Sequence, residues 1–395
     1  MNSIHPSPGE PGFGTGASLF IDPRTCIDCG ACADICPVDA AQPVEKASAE
    51  DVERNAAYFA GQEPLDATDL DSWEAPTYQV WGGGPRRVLV VGAGPAGMYA
   101  TRELLLRTTA RVTLVDRLEQ VGGLVRYGVA PDHPSTKQIM QTFERILQHE
   151  RVRWLPGTDA RELPDGFDAV VHAVGARRSR RLGIAGEDAA CTAEDFVAWY
   201  NGRPGAVRPV ELVGPRAVIV GNGNVALDVA RILLSDEARL RDMDVSSDVR
   251  RVLAAGGVKE VVLLGRRGPG EAAYTDSALK ELLAAAGDRV ELRHHARPTA
   301  WTSEGLALDD GTTIAAGNLF TAIGFEGTPI DGLPFDPERG IVPNVRGAVV
   351  GRPGHYVAGW IKRGARGGIG VNKACAQETV MALVSSSRAP ASPGS

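Results

Sequence analysis

The chain has 395 residues, of which 23% are charged, and its formal net charge is −7. This length predicts two or three domains with large cores and excludes a small module held together by disulfides. The sequence has no long basic block that would favour nucleic-acid binding, and no run of about 18 apolar residues that would favour a membrane span. Its N-terminal residues lack the basic start and apolar core of a signal peptide, so we predict a cytoplasmic protein.

Four of the six cysteines lie close together near the N-terminus. They are Cys26, Cys29, Cys32 and Cys36, and a proline follows the last of them. This spacing is typical of bacterial ferredoxins, in which soft thiolate ligands bind an iron–sulfur cluster. A zinc site more often has two separated CxxC pairs or a histidine. We therefore predict an iron–sulfur cluster, of the [4Fe–4S] type, in an N-terminal segment comprising residues 1–46.

The ligand set of this cluster stays open at this point. In ferredoxins with two clusters, the fourth cysteine of such a run binds the other cluster, and a second run completes the first cluster. This sequence has a single run, with Ser3 where another cysteine could stand. Three interpretations remain: the native chain begins further upstream, Cys36 is the fourth ligand, or the cluster is incomplete or lost.

Two further segments have no clear hydrophobic period. Residues 47–84 carry many acidic side chains and end in three glycines, which predicts a linker. Residues 387–395 are rich in serine, proline and alanine, which predicts a disordered tail.

A strand, a glycine turn and a helix follow the linker. The apolar run Val88–Val91 leads into a GxGxxG motif, and the predicted loop consists of Gly92, Gly94, Pro95, Ala96 and Gly97. Glycine at these positions allows a tight turn, close approach of a pyrophosphate and close packing of the helix on the strand. The next strand ends at Asp116, about 20 residues on, where a carboxylate can bind a ribose 2′-hydroxyl. We predict an FAD or NAD site without a 2′-phosphate.

The next segments bring more glycines towards this site. Gly122, Gly123 and Gly128 permit a close approach to a planar ligand, and a helix follows at about 135–147. The strand Ala169–Val174 stops at Gly175, which again places a small residue near the nucleotide. The basic residues after it either lie on a solvated loop or contact an anionic ligand; they are Arg177, Arg178, Arg180 and Arg181.

A second nucleotide unit begins at Ala217. It repeats the strand, a glycine turn with Gly221, Gly223 and Ala226, and a helix. A helical excursion at about 236–255 precedes a strand that ends in Arg266 and Arg267 instead of an acid. Guanidinium groups bind a 2′-phosphate by planar, charge-assisted hydrogen bonds, so this half is predicted to select NADP over NAD. The alternative is that both arginines merely face solvent.

The rest of the chain alternates short elements with glycines. We predict a helix at 272–286, short strands over 291–323 and a strand at Leu319–Phe325 that echoes the end of Ala169–Val174. A glycine-rich loop after Tyr356–Ala358 leads into a helix at about 372–384. Trp360 stands where many flavoproteins with two dinucleotide folds have an acid.

Four segments in this order resemble one family. GLVRYGVAPDH, GNGNVALDVARIL, GRRGP and GWIKRG with its following GxIG are similar to the adrenodoxin reductase-like ferredoxin–NADP reductases of actinobacteria, especially those with a fused bacterial-type ferredoxin domain. The resemblance covers nearly the whole chain. It implies an α/β fold with two Rossmann-like, glutathione reductase-like domains behind a small α+β ferredoxin-like segment. The implied FAD domain is split into residues 85–210 and 322–386, and the NADP domain, 211–321, lies between.

The resemblance also implies the residues that bind cofactors. Those for FAD include Ala96, Asp116, Gly123, Leu124, Trp360, Gly367, Gly368 and Ile369. Those for NADP(H) are Arg180, Gly221, Asn222, Gly223, Asn224, Val225, Arg266, Arg267 and Gly367. The family's histidine and glutamate near the flavin correspond to His133 and Glu281, which could tune charge or exchange protons. Hydride transfer itself needs only alignment of the two rings.

Four features depart from the family pattern. A glutamate that helps hold the nicotinamide nucleotide corresponds to Ala278, for which Asp276 could substitute. Ala365 and Arg366 stand where proline and threonine are common. The segment between residues 286 and 318 is shorter than in the family, and the first cysteine run is missing.

We therefore predict an FAD-dependent NADPH:ferredoxin oxidoreductase whose partners are NADPH and a ferredoxin or another iron–sulfur carrier, with a tethered cluster of its own. One alternative is the flavin-bearing, NADPH-oxidising subunit of a larger reductase such as glutamate synthase. Another is a redox-sensing flavoprotein without turnover. A thiol–disulfide reductase is disfavoured, because neither nucleotide domain contains a CxxC motif. The sequence does not indicate the oligomeric state.

Overall fold

The computed structural model describes residues 4–6, 18–23, 32, 41–42, 44, 47–61, 80, 84–137 and 139–386. The strands of these residues are β1 (Ile4–His5), β2 (Phe20–Ile21), β3 (Arg87–Val91), β4 (Arg111–Val115), β5 (Val152–Leu155), β6 (Ala169–His172), β7 (Arg178–Ser179), β8 (Cys191–Thr192), β9 (Arg216–Val220), β10 (Glu260–Leu264), β11 (Val290–Arg293), β12 (Pro298–Thr302), β13 (Gly305–Leu308), β14 (Thr313–Ile314), β15 (Asn318–Thr321), β16 (Phe325–Glu326), β17 (Asn344–Val345), β18 (Ala348–Val349) and β19 (His355–Val357). Their helices are α1 (Ala49–Phe59), α2 (Pro95–Arg107), α3 (Leu124–Tyr127), α4 (Pro134–Lys137), α5 (Ile139–Leu147), α6 (Ala193–Tyr200), α7 (Asn224–Leu233), α8 (Glu237–Asp242), α9 (Ser247–Ala255), α10 (Asp276–Ala286), α11 (Trp360–Arg363) and α12 (Ile369–Ser386). The chain separates into two compact units, residues 1–79 and 80–395.

In the N-terminal unit, β1 and β2 pair antiparallel and α1 adjoins β2. The Ser48 hydroxyl caps α1 by accepting a hydrogen bond from the Asp51 N–H. The Asn55 side chain donates to the Ile21 carbonyl (2.9 Å) and accepts from the Ile21 N–H (2.8 Å). The first part of the predicted linker is therefore a helix attached to this unit, because a local cap and an amide pair fix it.

Most of the predicted iron–sulfur segment lies outside the described residues. Cys26, Cys29 and Cys36 lie outside the described residues, as does the tail 387–395. Cys32 is half-buried and helical. The ligand set of the cluster therefore stays a prediction.

The first half of the larger unit is built on a seven-stranded sheet in the order β17-β18-β19-β6-β3-β4-β5. The five strands from β19 to β5 run parallel. The central strand β3 has Val88 and Val90 fully buried, and helices α2 and α12 pack together against this sheet. Strands buried on both faces need the near-continuous apolar sequences seen here. All five parallel strands consequently direct their carboxyl ends, and the loops that follow them, to one edge.

The second half is built on a parallel five-stranded sheet in the order β11-β10-β9-β15-β8. Strand β8 pairs with Phe320–Thr321, and α6 buries Phe196 in the same core. Residues 191–200 therefore belong to this half, whereas the sequence analysis placed the junction at residue 210. The reason is that the strand pairing joins segments more than 120 residues apart along the chain. The chain crosses between halves at β7 and β16, which pair antiparallel.

Local caps explain where several helices differ from expectation. The excursion at 236–255 is two helices, because Asp236 caps α8 and Ser246 caps α9. Thr275 caps α10, which therefore begins at Asp276 rather than at residue 272. Strands β12 to β14 form a separate antiparallel sheet. Among the described helices, none is both long and apolar enough to cross a membrane.

Candidate functional site

The first glycine loop is packed so tightly that two of its glycines are required by the protein itself. A Cβ atom on Gly92 (φ +103°) would lie 2.5 Å from the Ala173 carbonyl oxygen, and one on Gly97 would lie 1.8 Å from the Gly92 carbonyl oxygen. At Gly94 a Cβ atom would meet nothing closer than 3.9 Å. No side chain caps α2, so its first N–H groups are available to an anionic ligand. The packing of the protein itself therefore does not require glycine at position 94, and its role in binding a ligand stays a prediction.

The acid at the end of β4 holds this loop. Asp116 is only 7% exposed, and its carboxylate accepts hydrogen bonds from the Ala93 N–H (2.7 Å) and the Leu118 N–H (2.9 Å). Such bonds to a charged acceptor are among the stronger ones in proteins. Asp116 thus fixes the loop conformation, and its contact with a ribose stays a prediction.

Replacing Asp116 with alanine should weaken FAD binding at least about tenfold, because losing two charge-assisted bonds worth about 1.5–3 kcal/mol each frees the loop. The FAD affinity of the refolded apoprotein measures this. Asp168→Ala is the matched control, since the Asp168 carboxylate accepts from Arg86 N–H (2.7 Å) and Arg87 N–H (2.8 Å) at the other end of β3. Equal losses of FAD affinity in the two variants would contradict the assigned role.

Room for a planar ligand remains beside the loop. A Cβ atom on Gly123 would lie 2.9 Å from Gly94 Cα, so the turn at Gly122 and Gly123 packs directly on the first glycine loop. Gly175 and Gly324 follow β6 and β15, both have positive φ, and a Cβ atom on either would meet nothing within 4 Å. Leu124 is 42% exposed next to this turn. Both strand ends therefore leave open space where the sequence predicts a nucleotide.

The C-terminal part of the chain returns to the same loop. A Cβ atom on Gly359 would lie 2.5 Å from Ala96 Cβ, which shows how closely the loop before α11 approaches α2. The Trp360 indole N–H donates to the Gly367 carbonyl (3.1 Å), and its ring stacks on Phe325 at 5.9 Å between centroids. The structure thus brings together the FAD residues predicted from the two ends of the domain, including Gly368 and Ile369 at the start of α12.

One arginine near this loop has two buried nitrogen atoms without hydrogen-bond partners among the described residues. The Arg363 Nη2 donates to Asn372 Oδ1 (3.2 Å), whereas Nε and Nη1 are buried and have no hydrogen-bond partner among the described residues. Burial lowers the pKa of Arg363. Buried donors in native proteins are nearly always satisfied, so these atoms fit a ligand with acceptor oxygens. The sequence analysis missed Arg363.

The second glycine loop repeats the first with one change. A Cβ atom on Gly221 (φ +138°) would lie 2.3 Å from the Ala322 carbonyl oxygen, whereas Ala226 fits fully buried at the third position. Gly223 is the N-cap residue of helix α7, and no side chain caps this end of the helix. The Asn222 carbonyl accepts from Ala273 (3.0 Å), and Asn224 Oδ1 accepts from Thr275 (2.9 Å). These bonds attach the loop to the segment before α10, and Val225 packs against the second core.

The arginine pair lies where the next strand ends. Strand β10 stops at Leu264, and both Arg266 and Arg267 are exposed. The nearest acid to Arg267 is Glu271, at 3.9 Å, and both side chains are more than half exposed. Such a pair contributes little in water, so the guanidinium remains available to a phosphate.

The four basic residues after Gly175 have different roles. Arg178 forms an ion pair with Glu326 (2.6 Å), and Arg181 forms one with Asp188 (2.5 Å). Arg180 is exposed and donates to the Phe325 carbonyl (3.3 Å). Arg177 is exposed. The two arginines paired with acids therefore have a structural explanation, and the NADP contact of Arg180 stays a prediction.

His133 and Glu281, 148 residues apart in sequence, meet across the two halves. The distance from His133 Nε2 to Glu281 Oε1 is 3.1 Å. Burial opposes protonation of His133, but the hydrogen bond to Glu281 raises the pKa of the imidazole above its ordinary value. The same bond lowers the pKa of Glu281. The pair therefore favours a protonated imidazole beside a carboxylate.

Ala278, at the position of the family glutamate, lies in the first turn of α10 and packs against the second core. Its N–H donates to Thr275 Oγ1 (3.3 Å). The side chain of Asp276, the predicted substitute, lies outside the part of the chain that the structure describes.

Sequence reasoning missed three charged residues next to His133. Arg231 of α7 contacts both Asp132 and Asp228. A signal was present in the sequence, because Arg231 interrupts the apolar residues Val229, Ala230 and Ile232, which α7 buries. A charge among buried positions of a helix indicates a buried partner.

Two glycine loops, each between a parallel strand and an uncapped helix, define an oxidoreductase of the class with two dinucleotide-binding domains. A family model described as pyridine nucleotide-disulphide oxidoreductase matches residues 86–370, and one described as a 4Fe-4S binding domain matches residues 19–42. The chain belongs to the pyridine nucleotide-disulphide oxidoreductase family and, within it, to the ferredoxin–NADP reductases.

Individual relatives support the same family assignment. The "Probable ferredoxin/ferredoxin--NADP reductase" of Mycobacterium tuberculosis is 37% identical, and the alignment covers 97% of this chain and 80% of that protein. The mitochondrial "NADPH:adrenodoxin oxidoreductase" of Arabidopsis thaliana is 36% identical, with 75% and 81% covered. The structure of Mycobacterium tuberculosis FprA in complex with NADPH superposes with a TM-score of 0.70 at 34% identity, covering 76% of this chain and 84% of that one. The predicted resemblance and fold class are confirmed.

Proposed function

We propose that this chain is an FAD-dependent oxidoreductase that passes electrons between NADPH and an iron–sulfur centre. The observation that carries the proposal is the contrast between the two glycine loops: the strand after the first ends in the buried acid Asp116, and the strand after the second ends in the exposed pair Arg266 and Arg267. At the level of the family, the relatives confirm the predicted function, the cofactors FAD and NADP(H) with an iron–sulfur cluster, and a ferredoxin-type partner.

The residues of the first half fit FAD. The uncapped N-terminus of α2 offers N–H groups to the pyrophosphate, and the open space at Gly175 and Gly324 admits a planar group. Arg363 has two buried donors free for ligand oxygens. When bound, FAD exchanges a hydride with the nicotinamide and releases electrons singly. Trp360 is held in place there by its hydrogen bond to Gly367 and its stacking on Phe325.

The residues of the second half orient NADPH. The uncapped N-terminus of α7 would offer its N–H groups to the pyrophosphate, and Arg266 and Arg267 would bind the 2′-phosphate by charge-assisted hydrogen bonds. The contact between His133 and Glu281 joins the halves at the side chains that correspond to the family pair. The hydrogen bond to Glu281 raises the pKa of His133 and so favours a proton on Nε2, facing the Glu281 carboxylate.

The N-terminal cysteines supply the one-electron partner. Cys26, Cys29, Cys32 and Cys36 would hold the cluster, and a tethered acceptor has a high effective concentration next to the rest of the chain. A cytoplasmic location stays a prediction, which the clustering of cysteines typical of metal ligation supports.

The test is an anaerobic absorption spectrum before and after NADPH is added, with iron and sulfide analysis of the same sample. We expect flavin bands that NADPH bleaches and an equal concentration of NADH does not, with about four irons per chain. Cys29→Ser should lose the iron and keep the bleaching, whereas Cys191→Ser, which alters a buried cysteine of the second half, should keep both.

Other outcomes would overturn this proposal. Preferential reduction by NADH would contradict the role of the arginine pair, and a sample without iron and sulfide would remove the tethered cluster. A yellow protein that NADPH fails to reduce would favour the redox-sensing alternative, and copurification of a large partner would favour the glutamate synthase type.

A further inference from the structure

Arg231 is a buried charge with partners in both halves of the larger unit. Its side chain is 0% exposed on α7 of the second half. Its Nη2 donates to Asp132 Oδ1 (3.1 Å) and its Nε to Asp132 Oδ2 (2.5 Å), in the planar two-bond geometry that a guanidinium prefers. Asp132 lies between α3 and α4, and Val125 of α3 and Met140 of α5 pack in the first core. This salt bridge therefore spans the two halves.

The hydrogen bonds that Arg231 makes leave Nε2 of His133 to act as a donor. Nη2 carries two hydrogens, and it lies within hydrogen-bond distance of Asp132 Oδ1 (3.1 Å), Asp228 Oδ1 (2.8 Å) and His133 Nε2 (3.1 Å). The two carboxylates are the stronger acceptors and take both hydrogens. His133 Nε2 consequently keeps its own hydrogen and donates it to Glu281, at 3.1 Å.

The same geometry argues against a metal ion. Ligand atoms of Asp132, His133 and Glu281 lie within 4.8 Å of one another, as in a candidate metal site. However, Arg231 Nη2 is 3.1 Å from His133 Nε2, and Arg231 Nε is 3.6 Å from Glu281 Oε1. A permanent positive charge inside the cluster would repel a cation.

Stability alone does not account for this arginine. Desolvation of a buried ion pair can exceed the attraction within it, and apolar residues of similar volume are often as stable. Arg231 Nη1 is moreover buried without a partner among the described residues, which adds a further cost. Burial also raises the pKa of Asp228, which faces the guanidinium. What a buried two-bond salt bridge does provide is one fixed geometry.

We propose that Arg231 is a positioning residue that fixes the second half against the first and directs the Nε2 hydrogen of His133 towards Glu281. This inference rests on the proposed function, because hydride transfer requires the two rings, held by different halves, to be aligned. A misplacement of about 1 Å can slow such a step about 100-fold. Binding of the adenosine end of NADPH uses the second half alone and should not depend on Arg231.

The experiment compares Arg231→Lys with Arg239→Lys in the FAD-loaded full chain. Arg239 is a matched control, since its Nη2 lies 3.9 Å from the same Asp132 carboxylate but its side chain is 37% exposed. We expect Arg231→Lys to bind 2′,5′-ADP within about twofold of wild type while the rate of flavin reduction by saturating NADPH falls about 100-fold. Hydrogen exchange of residues 129–134 should accelerate. Arg239→Lys should match wild type in all three measurements.

An Arg231→Lys protein whose reduction rate stays within about threefold of wild type, with unchanged exchange at 129–134, would overturn the inference. A rate loss accompanied by an equal loss of 2′,5′-ADP affinity would do so too, because it would show a general defect of the second half. If Arg231→Lys does not fold, Asp132→Asn, which removes the partner from the first half, is judged by the same criteria. Failure of the proposed function is distinguishable, since NADPH would then not reduce wild type.

Discussion

Replacing Arg266 and Arg267 together with alanine should raise the KM for NADPH about 100-fold or more and leave the KM for NADH within about threefold. Each guanidinium can form charge-assisted bonds to the 2′-phosphate worth about 1.5–3 kcal/mol, and a factor of ten corresponds to about 1.4 kcal/mol. NADH has no 2′-phosphate and therefore does not depend on these side chains. Steady-state rates with ferricyanide as electron acceptor measure both constants.

The control for this prediction is Arg241→Ala, which removes an exposed arginine of the second half that pairs with Glu237 at 3.0 Å. This substitution should leave the KM values for both NADPH and NADH unchanged. An equal rise of both KM values in the double variant would indicate a general defect of the second half. An unchanged preference for NADPH would show that the arginines merely face solvent.

Gly97→Ala should yield a protein that has lost FAD and has a thermal midpoint lower by about 5 °C or more. The new Cβ atom would lie 1.8 Å from the Gly92 carbonyl oxygen, so α2 must move away from β3. Overpacking of this kind costs about 1–3 kcal/mol, and here it also displaces the loop that binds the pyrophosphate. Calorimetry and the flavin absorbance of the purified protein measure the two effects.

Gly94→Ala separates the two effects, because its Cβ atom would meet nothing closer than 3.9 Å. The apoprotein should be as stable as wild type, whereas FAD affinity should fall because the methyl group occupies the approach of the pyrophosphate. Wild-type FAD affinity in Gly94→Ala would argue against a ligand at this loop. A stable, FAD-loaded Gly97→Ala protein would refute the packing argument.

The glycine loops could be predicted in detail because their requirements are local. Gly92, Gly97 and Gly221 each have a carbonyl oxygen where a side chain would begin. The strand and the helix around each of these glycines are predicted by the pattern of apolar residues. The alanine at position 226 was equally informative, since the second loop accepts one methyl group there. Element types around the two glycine loops were therefore predicted correctly, whereas the helix Ala49–Phe59 inside the predicted linker was missed.

Domain boundaries and the contacts between halves could not be predicted in this way. Residues 191–200 join the second half through a strand pairing with Phe320–Thr321. Nothing in the sequence near residue 191 indicates this pairing. The pair His133 and Glu281 came from family resemblance, and without it each residue would have passed for a surface group. Arg231 and Asp132 lie in recognised motifs but were not linked to each other.

By itself, the sequence determined the class of each binding loop, the acid that follows one and the arginine pair that follows the other, because these depend on neighbours within about 20 residues. Only the tertiary structure decided that Asp132, His133, Arg231 and Glu281 form one cluster. The contacts among them that cross between halves join residues 98 to 148 positions apart in sequence, so they require the two cores to be packed together. Contacts of that kind depend on the shapes of both cores, which no local pattern encodes.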